Sequence, residues 1–243
     1  MVFAREIEGQ TLTFGVSGKL IMNAVVMYDH QTGTLWSQFL GSGVDGPLTG
    51  VDMQLLPSQL TSWAAWVEQH PDTKLLDRTI GRGSGRDPYT SYYSSTSAGV
   101  LGEENEDERL RRKDLVIGLD HGRDRIAYAL KDLADVLLVN DTYESAPIVV
   151  THDPNGGAAA AFSRVVSDRT LTFEAVDRLA MRDAETGTTW ASLTGKAIDG
   201  ELSGETLEQL PSFVSSGSRG PISILPLHCG NPNGRRQRSI YQM

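Results

Sequence analysis

Residues 27–36 read Met-Tyr-Asp-His-Gln-Thr-Gly-Thr-Leu-Trp, and residues 181–190 read Met-Arg-Asp-Ala-Glu-Thr-Gly-Thr-Thr-Trp. The correspondence extends outward, with Thr-Leu-Thr-Phe at residues 11–14 and 170–173 and Leu-Pro-Ser at residues 56–58 and 210–212. The offset is 159 residues up to Phe14 and 154 from Met27 onward, so the second copy lacks five residues. A repeat of this length exceeds the roughly 20–50 residues of solenoid units and therefore indicates a duplicated domain.

Both copies are rich in short strand-forming runs separated by turn signals. In the first copy, the hairpin signal Glu8-Gly9-Gln10 lies between two such runs. The predicted strands are Val2–Arg5, Leu12–Val16, Ala24–Tyr28, Leu35–Leu40, Val116–Leu119, Val136–Val139 and Ile148–Thr151. A helix is predicted over Leu60–His70, where Leu60, Trp63, Ala64 and Val67 recur at helical spacing. Tyr128–Asp135 predicts a second, short helix.

These patterns predict a mainly β fold with a few short helices, with α+β as the alternative. The fold is expected to be a tandem duplication of one β-rich unit, with the two units packed on each other. We expect residues 1–78 to form the first repeat, residues 79–114 a linker and residues 115–214 the second repeat. Residues 215–243 are predicted to be a non-native tail, because this segment contains four Arg and no acidic residue.

Composition limits the classes of partner. The chain has 243 residues, 39% of them hydrophobic, and a net charge of −9, which suits an ordinary soluble globular protein. An acidic surface repels phosphate backbones, so nucleic acid is not an expected partner. No run approaches the ~18 apolar residues of a membrane-spanning helix. The single Cys229 excludes a disulfide within the chain, and no metal site is predicted.

Several motifs together resemble one family. They are Thr11–Gly18, Met27–Gln38, Gly46–Gly50, Asp87–Tyr89, Val116–Gly118 and Asn140–Thr142. Over roughly residues 2–214 the chain resembles the family of domain of unknown function 3179. The resemblance implies a prokaryotic protein, often haloarchaeal, that is exported or lipid-anchored in its complete form. It implies no activity.

The chain departs from the family pattern at two places. Members open each unit with a front section that ends in Tyr-Cys-Pro-Leu-Cys, and the first copy here begins at Val2-Phe3 without it. The second copy has the front section at residues 116–151, but Thr151–Gly157 replaces both cysteines. Any thiol or metal chemistry of the family is therefore expected to be missing from this chain.

The first copy supplies the candidate ligand-binding residues. It keeps a polar, glycine-flanked segment, residues 15–23, that the second copy lacks, and loops of this kind often carry binding groups. The alternative interpretation is a wide hairpin connection. The candidates are Ser17, Asn23, Tyr28, Asp29, Trp36 and Gln38. Asp29 and Trp36 recur as Asp183 and Trp190, which favours turn capping and core packing for them. Gln38, which becomes Ser192, is the more discriminating position.

Two functions from different classes remain open at this point. The first is a non-enzymatic binding or envelope-associated module, with any small-molecule or protein ligand on the first repeat and the second repeat as scaffold. The alternative is a thiol- or metal-dependent enzyme or redox protein whose cysteine motif is missing from this chain. A serine hydrolase is disfavoured because Ser17 lacks the Gly-x-Ser-x-Gly elbow. His152-Asp153 supplies only two candidate metal ligands.

Both ends of the chain carry an expectation of their own. We expect Met1 to be an internal methionine of a longer gene, because the front section precedes the equivalent strand in the second copy. We expect the tail from Ser215 to arise from a frameshift, and the alternative is a lineage-specific disordered extension. A shifted reading frame permits two tryptophans and a proline at the spacing of Trp63, Trp66 and Pro71 in the first copy.

Overall fold

The computed structural model describes residues 1–75, 89–95, 110–111, 113–121, 124–216 and 223–224. In these residues most of the regular structure is short antiparallel strand, which confirms the mainly β class with a few short helices. The elements of the first repeat and the segment after it are β1 (Val2–Phe3), β2 (Glu6–Ile7), β3 (Gln10–Thr11), β4 (Phe14–Ile21), β5 (Ala24–Asp29), β6 (Leu35–Ser37), β7 (Ser42–Asp45), β8 (Leu55–Leu56), α1 (Trp63–Gln69) and α2 (Thr90–Ser94).

A four-stranded antiparallel sheet forms the body of the first repeat. Its strand order is β4-β5-β6-β7, so β4 is an edge strand. The predicted hairpin at Glu8-Gly9-Gln10 forms between β2 and β3, which are shorter than the predicted strands. Val2–Phe3 pairs instead with β8, far along the chain. The predicted strand Val2–Arg5 is therefore reduced to Val2–Phe3, and the hairpin is formed by Glu6–Ile7, outside the predicted range.

The second repeat has more elements. They are β9 (Leu115–His121), β10 (Asp124–Ala129), α3 (Leu130–Val136), β11 (Leu138–Tyr143), β12 (Ala146–Asp153), β13 (Ala158–Ser163), β14 (Val165–Val166), β15 (Arg169–Thr170), β16 (Phe173–Ala175), β17 (Ala180–Asp183), β18 (Thr189–Ala191), β19 (Ala197–Asp199), β20 (Phe213–Ser216) and β21 (Ser223–Ile224). The sheet β16-β17-β18-β19 repeats the order of the first sheet.

The two four-stranded sheets also share their register. Phe14 lies opposite Asp29 and Met27 opposite Trp36 in the first sheet. Phe173 lies opposite Asp183 and Met181 opposite Trp190 in the second. The same residue types therefore occupy the same sheet positions, and the tandem duplication predicted from the sequence is present in the fold.

The three-stranded sheet β11-β12-β13 is buried on both of its faces. One face packs against β9, β10 and α3 in a cluster that includes Ile117, Tyr128 and Leu133. The opposite face packs against the four-stranded sheet of the second repeat, around Phe173 and Trp190. Because both faces are buried, the residues of β12 and β13 are buried along most of each strand and do not alternate with exposed ones. We call β11-β12-β13 the covering layer.

Helix α1 joins the first repeat to the covering layer. It begins after Ser62, whose side chain accepts a hydrogen bond from the Ala65 amide, and it ends before Pro71, within the predicted range. Of the apolar residues that recur at helical spacing, Trp63 is 53% exposed, and Leu60, which precedes the helix, is 59% exposed. The buried residue of α1 is Ala65, because the helix lies close to a turn of the second repeat and only a small side chain fits there.

Parts of the predicted linker and tail fall within the described residues. Next to α2, the Lys113 ammonium bonds to the carbonyls of Tyr92 and Ser95 and lies 4.1 Å from the centre of the Tyr92 ring. Strand β20 pairs with β9 as far as Ser216, and β21 pairs with β10 in parallel. The rest of the predicted tail, residues 217–222 and 225–243, lies outside the described residues.

Candidate functional site

The Asp29 carboxylate organises the turn between β5 and β6. It is fully buried and accepts hydrogen bonds from the Thr32 amide (2.5 Å), the Thr32 hydroxyl (2.7 Å), the Thr34 amide (3.1 Å) and Trp36 Nε1 (2.9 Å). Burial by itself would raise the pKa of Asp29, but these donors outweigh it and hold the pKa below the ordinary value of 3.8. Asp29 and Trp36 are thus brought together inside the fold.

The second repeat contains the same network around Asp183. Its carboxylate accepts from the Thr186 amide (2.6 Å), the Thr186 hydroxyl (2.8 Å) and Trp190 Nε1 (2.8 Å). Burial would raise the pKa of Asp183, and these hydrogen bonds lower it below 3.8. In both repeats a phenylalanine ring meets the tryptophan edge-on at 6.0 Å. The network belongs to the folding unit, because it recurs where the neighbouring loop is absent.

Ser17 and Asn23 shape the hairpin between β4 and β5. The Ser17 hydroxyl donates to the Val26 carbonyl at 2.6 Å, beside a register shift between Val16 and Leu20. Met22 and Asn23 have φ values of 51° and 59°, as the two central residues of a type I′ hairpin turn require. The residues retained in the first repeat therefore form a hairpin end, and the Ser17 hydroxyl points into its own sheet.

Tyr28 and Gln38 are half-buried and more available for contact. The Tyr28 ring lies over Gly15, where an added Cβ would come within 2.6 Å of the ring, and packs edge-on against His30 at 5.0 Å. The backbone N–H of Gln38 donates to the Val25 carbonyl at 3.2 Å. Its side-chain amide makes no hydrogen bond within the described part of the chain. The six predicted residues are therefore spread along the sheet and do not converge on one point.

The covering layer attaches to the second repeat through three polar contacts that sequence reasoning did not identify. Asn140 on β11 both donates to the Phe173 carbonyl (2.7 Å) and accepts from the Phe173 amide (2.9 Å). The Thr151 hydroxyl on β12 donates to the Ser192 carbonyl at 2.6 Å. The Arg164 guanidinium links the Leu171 carbonyl (2.8 Å) to the Asp141 carbonyl of β11 (3.2 Å). Together these contacts attach the layer along one edge of the sheet.

The first repeat presents the equivalent attachment points, and within the described ranges no layer is attached to them. Phe14 corresponds to Phe173, Gln38 to Ser192 and Arg5 to Arg164. The Arg5 match is structural as well, since Leu12 donates to the Arg5 carbonyl and Leu171 to the Arg164 carbonyl, both at 2.8 Å. Because the neighbouring His30 amide bonds to the Thr13 carbonyl, the alternation of an antiparallel ladder turns the Phe14 N–H and C=O away from β5.

No described residue occupies these points in the first repeat. The Phe14 N–H and C=O, the Gln38 carbonyl and the Arg5 guanidinium make no hydrogen bond to any residue of the described ranges. The signal for Arg5 was present in the sequence, because the internal alignment places it opposite Arg164. The role of Phe14 could not be predicted, because it is the backbone that takes part and because, in the second repeat, the partner Asn140 lies 33 residues from Phe173 along the chain.

The turn that replaces the family's cysteine motif is packed against α1. Gly156 lies so close to Ala65 that an added Cβ would approach the alanine Cβ to 2.7 Å. The fully buried Asp153 carboxylate contacts Arg178 Nη1 at 3.2 Å, and Arg178 Nη2 contacts the Glu68 carboxylate of α1 at 3.0 Å. His152 is also buried, with Nδ1 2.8 Å from the Ala158 carbonyl. This arrangement joins the two repeats.

Within the residues that the structure describes, His, Cys, Asp and Glu do not form a group of three or more suited to a metal ion. No helix in that part of the chain has the length and apolar character needed to cross a membrane.

Comparison with other proteins places the chain in a family. No curated protein and no solved structure matches it. One family profile matches residues 1–137 and again residues 135–218, and this double match agrees with the duplication seen in the fold. Those two segments include both four-stranded sheets and the covering layer. The chain belongs to the family described as Protein of unknown function (DUF3179).

Proposed function

We propose that this chain is a non-enzymatic binding module in which the first repeat carries the ligand surface and the second repeat is the scaffold. The observation that supports it is the unequal burial of equivalent residues. Phe173 and Met181 are 2% and 0% exposed beneath the covering layer. Phe14 and Met27, in the same sheet positions, are only partly buried. A sheet face that one repeat buries and the other leaves half-open is a surface available to a partner.

The six predicted site residues have different roles in this proposal. Gln38, which is half-buried, is the side chain positioned for direct contact with a partner. Tyr28 directly follows Met27 on β5 and therefore projects from the opposite face of the sheet, over Gly15. Four others hold the surface in shape: Ser17, Asn23, Asp29 and Trp36. An apolar sheet face beside the Phe14 N–H and C=O, which point away from β5, suits a polypeptide better than a small polar ligand, because a polypeptide supplies both apolar side chains and hydrogen-bonding groups.

Peptides selected from a random displayed library against the whole chain test this function. Methyl NMR locates the binding site, because Met27 and Met53 lie in the first repeat and Met181 lies under the covering layer. We expect selected peptides to shift the Met27 and Met53 signals and to leave Met181 unchanged.

The variant Gln38→Ala should weaken the selected peptides about tenfold, an effect of roughly 1.4 kcal/mol. The matched control is Thr194→Ala, a half-buried position of the second repeat. Peptides that perturb Met181 alone, or binding that is unaffected by the Gln38 change, would contradict the proposal.

A further inference from the structure

The second repeat shows what the open surface of the first repeat looks like when it is covered. Three polar contacts hold the covering layer there, from Asn140, Thr151 and Arg164. They use one backbone N–H and C=O pair, one backbone carbonyl and one guanidinium on the sheet side. The layer is therefore held by backbone groups of the sheet and by one arginine side chain, and the first repeat has both.

The first repeat offers the matching groups at Phe14, Gln38 and Arg5. Arg5 is exposed, whereas its counterpart Arg164 is half-buried by the layer that it binds. The Phe14 N–H and C=O have the same arrangement on the sheet edge as those of Phe173, because each residue lies opposite an aspartate in the same register. A carboxamide that bonds to Phe173 therefore also fits the backbone of Phe14.

The apolar part of the surface is shared as well. In the second repeat, Phe173 and Met181 are covered by Leu138, Val149 and Ala160 of the layer. In the first repeat, the cluster around Phe14 and Met27 has no counterpart of these three side chains among the described residues. We call Phe14, Met27, Arg5 and the Gln38 carbonyl, taken together, the Phe14 face.

A second copy of the chain does not fit the Phe14 face. The covering layer of each copy is already buried on both sides, so lending it to a neighbour would expose as much apolar surface as it covers. Pairing two β4 edges side by side is opposed by the register shift between Val16 and Leu20 and by Lys19, which are features that block edge-to-edge association.

Resting on the proposed binding function, we infer that the partner of the Phe14 face is a β-sheet layer with the chemistry of β11-β12-β13, supplied by another polypeptide segment. It presents an asparagine carboxamide to the Phe14 backbone and a hydroxyl to the Gln38 carbonyl. A backbone carbonyl accepts from Arg5, and short aliphatic side chains cover Phe14 and Met27. The bound state is a sheet-on-sheet contact that reproduces the second repeat.

The probe for this partner is residues 138–163 of this chain, joined to a soluble carrier protein, and titrated into the whole protein. We expect one equivalent to bind and to shift the methyl signals of Met27 and Met53. The Asn140→Ala form of the probe should bind about tenfold more weakly, because it loses both hydrogen bonds to the Phe14 backbone.

The matched change on the protein is Arg5→Ala, which should weaken the unmodified probe about tenfold. Its control is Arg169→Ala, an arginine that is 55% exposed and pairs with Glu201 in the second repeat. That variant should bind the probe as the wild type does. Far-ultraviolet circular dichroism of both variants verifies that the fold is intact.

Each alternative outcome decides against the inference in a different way. If the probe shifts Met181, it has exchanged with the layer of the second repeat, and the Phe14 face is not its site. If library peptides bind the first repeat but the probe does not, the binding function survives and this partner chemistry is wrong. If neither binds, both proposals are wrong. A dimer that Val16→Lys dissociates would assign the surface to a second copy.

Discussion

The two repeats carry the same sheet but differ in what lies on it. In the second repeat, Phe173 and Trp190 belong to a core of ten buried residues, to which the covering layer contributes four. In the first repeat, the equivalent core has four buried residues, among them Trp36. The Asp–Thr–Trp network is the same in both. This network therefore stabilises the four-stranded unit locally, whereas the number of buried core residues depends on the covering layer.

The largest expected difference between the repeats concerns the paired phenylalanines. Phe173→Ala should lower the free energy of unfolding by about 3–5 kcal/mol, because a buried ring leaves a cavity. Phe14→Ala should cost about half as much, since Phe14 is already partly exposed. Urea denaturation followed by tryptophan fluorescence measures both. Equal losses would mean that the face of the first repeat is as well covered as that of the second.

The next comparison isolates the polar attachment of the layer. Asn140→Ala should destabilise the protein by about 1–3 kcal/mol, because the Phe173 amide and carbonyl lose their partner in a buried setting. Thr142→Ala, an exposed position on the same strand, should stay within about 0.5 kcal/mol of the wild type. The same denaturation measurement applies. A loss at Asn140 no larger than that at Thr142 would show that apolar packing alone holds the layer.

A smaller and pH-dependent effect is expected from Asp29 and Asp183. Each carboxyl has a pKa below 3.8 in the fold, so its contribution to stability is present above the unfolded pKa and is lost as the pH falls through the folded value. We expect the free energy of unfolding to decrease below about pH 4. Asp29→Asn and Asp183→Asn should each flatten this decrease.

The control for this pH profile is Asp135→Asn, an exposed position on α3. It should leave the acid limb unchanged. Similar flattening from Asp29→Asn and Asp183→Asn would show that the network contributes equally to both four-stranded units. A profile that depends on Asp183 alone would mean that the covering layer determines the acid stability.

The smallest expected effect concerns the contact between the repeats. Glu68→Gln removes one carboxylate from Arg178 and should speed hydrogen exchange of the α1 amides without a large change in global stability. The effect should fade in high salt, because the Glu68–Arg178 pair is partly exposed. Glu201→Gln, which removes an ion pair elsewhere, is the control. Unchanged exchange in α1 would show that the packing of Ala65 against Gly156 is sufficient to hold α1 in place.

Much of the fold followed from local patterns. The strand-forming run at Ala24–Tyr28, the hairpin signal Glu8-Gly9-Gln10 and the helical spacing over Leu60–His70 each act over a few residues, so the sequence predicts them. The internal repeat also predicted structural roles for Asp29 and Trp36. Both residues recur in the second copy, which lacks the segment at residues 15–23, and this recurrence favoured structure over ligand binding. The hydrogen bonds to both carboxylates agree with that interpretation.

What the local patterns missed depends on distant partners. Val2 pairs with Leu56, and Trp63 is exposed because α1 meets the turn at Gly156 through Ala65. Neither follows from residues near in sequence. The helical spacing correctly placed α1 but not its buried side, since the buried side depends on which surface the helix meets.

The mainly β class and the turn chemistry of each unit follow from the sequence, since they depend on short-range sterics and on hydrogen bonds within a few residues. The duplication follows from the repeated residues themselves. Packing of distant segments is needed to show that the Phe14 N–H and C=O point away from β5 and that Asn140 bonds to the equivalent groups of Phe173. Backbone donors and acceptors are identical at every residue, so the sequence does not distinguish a paired strand edge from a free one. That distinction arises when distant segments pack together.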